Sequence, residues 1–401
     1  MVKELRNSLK LGQAQFAELL TVDLRTLRNW EQGRRETQCK LTSHFSRSTS
    51  TRPMPSRFVF VTTQSGAERA LKNEIAREHP ELKFAFARPG FVTFRSPEDF
   101  ASDFVLRTVF GRTWGFSLGK VNGSDDSQRA RDAWRLIGEQ LPDESISDLH
   151  VWQRDRALPG DEGYDGAADG LARSLGALLI ENRPTTGKPR IVTSAAAIGD
   201  LVLVERDEWW LGWHRANTPE TRWPGGVPPI ALAARMISRA YLKIVEALEW
   251  SELPIQPGDR CVEIGSSPGG SCLALLERGL LVTGIDPAVM DSHVLAHPNF
   301  THIRAIAKSV KRGIFRECRW LIMDANVAPN YTLDTLDGVL TQGGARPEGL
   351  VLTLKLTDPA LAEALPTIAE RLRRHGYRRV RMRQLAYNRK EICVVVDQAI
   401  R

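Results

Sequence analysis

Residues Val262–Ser271 read VEIGSSPGGS, and this stretch decides how the second half of the chain is built. Apolar CVEIG (261–265) has the pattern of a buried strand, a glycine-rich turn follows, and SCLALLERG (271–279) is helix-like. Glycine permits dihedrals and close approaches that a side chain forbids. The first turn of a helix presents unpaired N–H groups to a ligand. At 21 residues beyond Gly265, Asp286 closes the next strand, where a carboxylate can accept hydrogen bonds from ribose hydroxyls. The pattern by itself fits either a dinucleotide or S-adenosylmethionine, or a tight βα turn with no ligand. The GxGxxG spacing is absent and Glu263 sits inside the strand, which favours S-adenosylmethionine. Glu263, Gly265, Ser266, Pro268, Gly269, Gly270 and Asp286 are the candidate cofactor residues.

Strands and helices alternate on both sides of this turn. The strands are CVEIG, LLVTGID (280–286), THIRAIA (301–307), WLIMDA (320–325) and GLVLTLKL (349–356). Two strands in succession, RRVRMRQL and ICVVVD, follow them. Near-continuous apolar strands alternating with helices predict an α/β, doubly wound parallel sheet over 225–401, and the last pair predicts an antiparallel insertion at one edge. Upstream, TPETRWPGGVPP (218–229) marks a boundary. FVFVTTQ, GAERALKNEIAREH and KFAFARPGFVTFRS give a β-α-β-β order beginning at Arg57, an α+β unit over 57–146. A second module spans 147–217, with a strand at 149–155, a helix at 170–182 and short strands to Arg215. Residues 41–56, rich in Ser, Thr and Arg, read as a linker behind a helical extension over 1–40.

Hydrophobic residues at 42% and charged residues at 26% of 401 indicate packed cores. No apolar run reaches the roughly 20 residues of a membrane span, and the N-terminus lacks a secretory signal. Five cysteines form no CxxC pair, which excludes a zinc ribbon and predicts a reducing, cytoplasmic setting with no metal. Of 55 Lys/Arg and 48 Asp/Glu, 11 and 5 lie in the first 57 residues, leaving 44 and 43 for the rest. The +7 net charge therefore belongs mostly to the leader, and local clusters must carry any argument for nucleic-acid binding.

Four further residues converge where the sheet would open. Lys243 lies on the helix before the first strand (SRAYLKIVEA), Asp324 ends the fourth (WLIMDA), Lys355 ends the fifth (LVLTLKL), and Glu391 begins the last (QLAYNRKEICVVV). Ligands of open α/β sheets bind at the carboxyl ends of the strands, so Asp324 and Lys355 point to the cleft, and Asp324 joins the cofactor candidates. Singly, each has an ordinary structural explanation: Lys243 as a helix-face residue flanked by Arg239 and Glu246, Asp324 as a helix cap, Glu391 as a partner of Arg389 or Lys390. Lys355 resists one, because an isolated lysine in an apolar strand is costly to bury.

In SRAYLK, VEIGSSPGG, IMDA, LTLKL and RQLAYNRKEICV, in that order, the chain resembles the FtsJ-type ribose 2′-O-methyltransferases. The resemblance implies a Rossmann-like methyltransferase sheet, S-adenosylmethionine, and a Lys243–Asp324–Lys355–Glu391 tetrad. In this tetrad Lys355 is the base, Lys243 the neighbouring cation, and the two carboxylates orient the ammonium groups and the hydroxyl. It implies large-subunit (23S) rRNA, free or in an early particle, as substrate, and no membrane partner. It also implies a ferredoxin-like segment followed by a THUMP RNA-binding module across 57–217. In relatives a carboxylate near the end of the third strand contacts adenine; here the stretch is THIRAIAKSV, with none.

The basic run 371–390 contains nine Lys/Arg, no acid and two tyrosines, Tyr377 and Tyr387. Cations neutralise phosphates and aromatics stack on splayed bases, so Arg378, Arg379, Arg381, Arg383, Tyr387 and Arg389 are the candidate RNA contacts. A second basic cluster spans 304–319. Residues 11–36 resemble the helix-turn-helix of Xre/Cro-type regulators, with Arg25 and Arg28 facing the major groove. That unit is too short to bury a core alone, and Met54 stands just before the change of texture, so a natural start near Met54 is one reading. Two rival enzymes and one binder remain. Base N-methylation would want an Asn/Asp-Pro-Pro-aromatic loop where this chain has DANVAP. Base C5-methylation would want a nucleophilic cysteine, and Cys318 precedes the fourth strand. The binder is a helix-turn-helix DNA-binding regulator carrying a degenerate methyltransferase body.

Overall fold

In the computed structural model the described residues are 13, 56–101, 103–141, 146–158, 161, 170–184, 197–230, 236–342, 344–356 and 360–397. Apart from Gln13, the helix-turn-helix expectation and the 41–56 linker up to Pro55 lie outside them.

The N-terminal elements are β1 (Phe58–Thr63), α1 (Glu68–Glu78), β2 (Lys83–Arg88), β3 (Phe91–Arg95), β4 (Gly111–Asn122), α2 (Asp126–Gln140), β5 (Ile146–Gln153), α3 (Gly170–Glu181), β6 (Ala197–Leu203) and β7 (Glu208–Arg215). They form one seven-stranded sheet in the order β2-β3-β1-β4-β7-β6-β5. Only β5 and β6 run parallel. The sheet passes without a break across the expected 146/147 boundary, because β4 pairs with β7 over Phe116–Asn122. β4 is absent from the sequence reading for a physical reason. Its first six residues, Gly111–Phe116, are all buried, so no polar alternation marks the strand. Gly115 packs so closely that an added Cβ would lie 2.7 Å from both the Phe60 ring and the Asp200 carboxylate.

Behind the N-terminal sheet a buried ion pair fixes the connection to the second half. His214 on β7 donates from Nδ1 to Asp200 (2.7 Å) and from Nε2 to the Thr221 carbonyl (2.8 Å). Burial opposes charge on this ring, but Asp200 and the two hydrogen bonds outweigh it and raise its pKa. The ring thus bridges Asp200 and the Thr221 carbonyl and anchors the 218–229 stretch. Glu220 of that stretch accepts from Trp250 Nε1 (2.8 Å) and lies 3.6 Å from Arg383.

The second sheet is the doubly wound α/β sheet expected from the alternation of strands and helices. Its elements are α4 (Ala240–Ser251), β8 (Arg260–Ile264), α5 (Gly270–Glu277), β9 (Leu281–Ile285), α6 (Ser292–Leu295), β10 (Phe300–Ile303), α7 (Gly313–Arg316), β11 (Trp320–Met323), α8 (Pro329–Asp337), β12 (Gly349–Lys355), α9 (Ala360–Glu363), α10 (Leu365–Arg373), β13 (Arg379–Arg383) and β14 (Glu391–Asp397). The order is β10-β9-β8-β11-β12-β14-β13. The five strands from β10 to β12 are parallel, while β14 inserts antiparallel between β12 and β13. The predicted antiparallel strand pair is therefore present, with the later strand on the inside. α4 and α5 pack over one face through Ile244, Leu248, Trp250, Leu273 and Leu276. Full burial of each such side chain contributes about 1.5–3 kcal/mol. Order reverses between β8 and β11, so the cleft opens above their carboxyl ends.

Candidate active site

Gly265, directly after β8, adopts φ +83°, a left-handed conformation that disfavours every side chain. An added Cβ would sit 2.8 Å from Ala325 Cα and from the Asp324 carbonyl. The next turn closes through Gly269 at φ +117° into the buried N-terminus of α5, where an added Cβ would meet Val294 at 2.9 Å. Asp286, after β9, accepts from Ser267 N (3.2 Å) and Ala288 N (2.8 Å), which fixes its carboxylate beside the loop. Ser266 is buried, with its hydroxyl 3.6 Å from Met290 Sδ. Gly265, Pro268, Gly269, Gly270 and Asp286 are thus gathered around one turn, the glycine cradle at the head of α5. After β10 the cradle wall carries Arg304, bonded to the Pro287 carbonyl at 3.1 Å, and no carboxylate stands there.

Glu263 lies apart from that surface. Its side chain points into the core, where Cys272 Sγ donates to it at 2.8 Å. Direct cofactor contact is thus corrected to a supporting role beneath the glycine turn. Burial pushes its carboxyl up to about 8, reinforced by the charges of Asp324 and Asp286. Because the folded pKa lies above the unfolded one, the folded state favours the protonated form. Stability falls as pH rises from the ordinary carboxylate range to about 8 and is level above it. Glu263→Gln should remove that slope. In urea titrations at pH 5 and pH 8, the variant should gain on the wild type by about 3 kcal/mol at the higher pH. Parallel curves for the two proteins would show that Glu263 is ionised in the fold.

The four residues read as a tetrad meet in space. Lys243 Nζ is 2.7 Å from Asp324 Oδ2 and donates to Glu391 Oε2 at 3.1 Å. Lys355 Nζ donates to Glu391 Oε1 and lies 3.7 Å from Asp324 Oδ1. Cation and carboxylate thus alternate around a closed ring whose side chains are 13–16% exposed. Each arrives from a different element: Lys243 from the first turns of α4, Asp324 from the end of β11, and Lys355 from the last residue of β12, directly opposite Glu391, the first residue of β14. Burial weakens the charge on Lys243, yet Asp324 and Glu391 more than restore it and raise its pKa. Burial likewise works against the Glu391 carboxylate, and the two lysines overcome it and lower its pKa. Asp324 Oδ1 is buried and accepts no hydrogen bond, a vacant acceptor aimed between the two lysines.

The ordinary structural explanations can now be placed. Glu246 does not line a solvated face with Lys243. It is fully buried and accepts from Ala386 N (2.8 Å) and Tyr387 N (3.1 Å). Asp324 caps no helix, since α8 begins at Pro329 behind Ala328. Glu391 pairs with the two lysines rather than with Arg389, which is bonded to Asp161. Asn388, which donates from Nδ2 to Glu391 Oε2 at 3.3 Å, is absent from the sequence reading, and Glu246 entered it only as a helix-face neighbour of Lys243. Glu246 stands one helical turn after Lys243 and Asn388 three residues before Glu391, the spacings that would have flagged them.

The basic run does not form one surface. Arg383 is 3% exposed and donates to the Arg112 carbonyl, and Tyr377 is buried with its hydroxyl on the Pro347 carbonyl (3.0 Å). Neither reaches the surface, which corrects the expectation that Arg383 contacts RNA. The reason is strand periodicity: residues 379, 381 and 383 share one face of β13, and that face packs on α4. There Arg381 and Arg383 sit over the Trp250 ring at 5.4 and 5.9 Å. Arg379 forms two 2.7 Å bonds to Asp397, while Arg381 bonds the Ser251 carbonyl at 2.6 Å. Arg378 is exposed; Tyr387 and Arg389 are half-buried. Cys318 is buried behind β11, where burial pushes its thiol up to about 12, so it offers no nucleophile.

A doubly wound sheet with a glycine-turn cradle and an adjoining polar ring defines a methyltransferase. Residues 236–381 match the FtsJ-like methyltransferase family. The chain is 31% identical over 319 residues to the ribosomal RNA large subunit methyltransferase M of Halorhodospira halophila (strain DSM 244 / SL1), spanning 77% of this chain and 86% of that one. It is 25% identical over 356 residues to the protein of the same name from Laribacter hongkongensis (strain HLHK9), spanning 83% and 94%. Among solved structures, TrmN from Thermus thermophilus aligns over 85% of this chain and 99% of that chain, at 15% identity and a TM-score of 0.32. The chain belongs to the ribosomal RNA large subunit methyltransferase M family. Among the described residues, no helix is long and apolar enough to cross a membrane.

Proposed function

We propose that the protein transfers a methyl group from S-adenosylmethionine to a ribose 2′-hydroxyl of large-subunit rRNA. The observation that carries this reading is the closed Lys243–Asp324–Lys355–Glu391 ring beside the glycine cradle, with Asp324 Oδ1 lacking a hydrogen-bond donor. S-adenosylmethionine supplies an electrophilic methyl on a sulfonium, whose sulfur keeps the electron pair when the carbon–sulfur bond breaks. Gly265, Pro268, Gly269, Gly270 and Asp286 would hold it, with Asp324 at the junction of cradle and ring. A ribose hydroxyl must lose its proton as its oxygen bonds the methyl carbon. Lys355 receives that proton as the general base. Asp324 and Glu391 orient the two amines and, through them, the sugar hydroxyl. Holding the hydroxyl in line with the methyl supplies much of the acceleration.

The names of the relatives support rRNA as substrate. Arg378, Arg379, Arg381, Tyr387 and Arg389 remain the proposed RNA contacts of the catalytic half, and the N-terminal sheet the proposed THUMP-like RNA-binding part. The test is transfer of labelled methyl to unmodified large-subunit rRNA, followed by digestion to nucleosides. Label in a 2′-O-methylated nucleoside is expected. Label in a base would overturn the tetrad reading, and absence of both transfer and cofactor binding would make the DNA-binding regulator the better account.

A further inference from the structure

The loop between β13 and β14, residues 384–390, ends at Glu391 and holds one wall of the ring. From within the catalytic half it is held by Glu246, through the Ala386 and Tyr387 amides. Leu356 N, just after β12, also donates to the Lys390 carbonyl (2.6 Å), and further supports come from the N-terminal half, more than 260 residues away in sequence. Gln384 N donates to the Val109 carbonyl at 2.7 Å, and Arg383 at the loop's edge donates to the Arg112 carbonyl. Gln64, immediately after β1, donates from Nε2 to the Asn388 carbonyl and accepts at Oε1 from Gln384 Nε2 at 3.1 Å. Gln384 Nε2 also donates to the Arg389 carbonyl (3.0 Å), and Asn388 reaches Glu391 through its side chain (3.3 Å). Gln64, Gln384 and Asn388 are all at least 95% buried.

We infer that Gln64 is a positioning residue for the methyl transfer: through Asn388 and Gln384 the N-terminal sheet sets where Glu391 stands, and so where Lys355 is aimed. A buried amide with both ends engaged has one low-energy arrangement, since leaving a buried donor or acceptor unpaired costs about 1–3 kcal/mol. The Asn388 carbonyl is therefore fixed by a group that belongs to a different sheet. The RNA-binding half proposed above is thus mechanically part of the catalytic centre, not a tether that delivers substrate to a self-sufficient one. This inference rests on the tetrad reading.

The test uses the full chain, S-adenosylmethionine and unmodified large-subunit rRNA. Single-turnover rates at saturating concentrations are measured for Gln64→Met, Gln384→Met and the double variant, beside Lys355→Ala. Methionine keeps the volume and removes the hydrogen bonds. Each single variant should slow the step 10- to 100-fold, with cofactor and RNA dissociation constants within twofold of wild type. The double variant should be no slower than either single, because both remove one chain of bonds. Rates within twofold of wild type, with Lys355→Ala inactive, would overturn the inference and leave the tetrad standing. Multiplicative losses that track a falling melting temperature would make the glutamines structural only, which also overturns it. An active Lys355→Ala would refute the tetrad itself. If Gln64→Met does not fold, Gln384→Met alone decides.

Discussion

Lys355→Ala should lower the methyl-transfer rate by roughly 10³-fold while leaving the affinity for S-adenosylmethionine within a few-fold of wild type. The expectation follows from the position of the side chain. Lys355 is the last residue of β12, it is bonded to Glu391, and it belongs to a strand outside the glycine turn. Its loss therefore removes the proposed proton acceptor without disturbing the surface where the cofactor would lie. Alanine also leaves Glu391 with Lys243 as its counter-ion, so the ring does not retain an unpaired buried carboxylate. Single-turnover kinetics and calorimetric titration with the cofactor separate the two effects. A variant retaining more than about a tenth of the wild-type rate would exclude Lys355 as the base.

Gly265→Ala should be as damaging by a different route. The φ of +83° costs an L-residue roughly 1–2 kcal/mol. The new methyl would also meet Ala325 Cα and the Asp324 carbonyl at 2.8 Å, and both are backbone atoms that cannot rotate away. Overpacking of this kind adds about 1–3 kcal/mol, for a total loss near 3 kcal/mol. Asp324 is the neighbour that must move, so the ring is displaced together with the cradle. Thermal unfolding with and without S-adenosylmethionine reads both consequences: a lower melting temperature, and loss of the rise that a native-state ligand confers. A variant with wild-type stability and an undiminished cofactor-induced rise would mean that the turn relaxes freely.

The parallel half was legible because its strands are short, apolar and punctuated by glycine. Lys355 stood out as an isolated lysine ending an apolar strand, and the family resemblance joined Lys243, Asp324 and Glu391 to it. What the sequence could not disclose was register. That Lys355 faces Glu391 depends on β14 entering between β12 and β13, and the reading anticipated only an edge insertion. The basic run misled because a stripe of arginines at every second position looks the same whether it faces water or a helix. Trp250, Glu220 and Glu246 decide for Arg383, and all three lie more than 130 residues before it. Gln64 gave no signal at all, since a single glutamine after a strand acquires meaning only from Asn388, 324 positions later.

The insertion of β14 also bears on how the enzyme comes into being. Glu391 is the last of the four ring residues to leave the ribosome, and its strand must wedge between two that precede it in the chain. Until that strand seats, Lys243, Asp324 and Lys355 lack the carboxylate that closes the ring, however completely the cradle has formed. The ring therefore closes only after every other strand of this sheet has been synthesised.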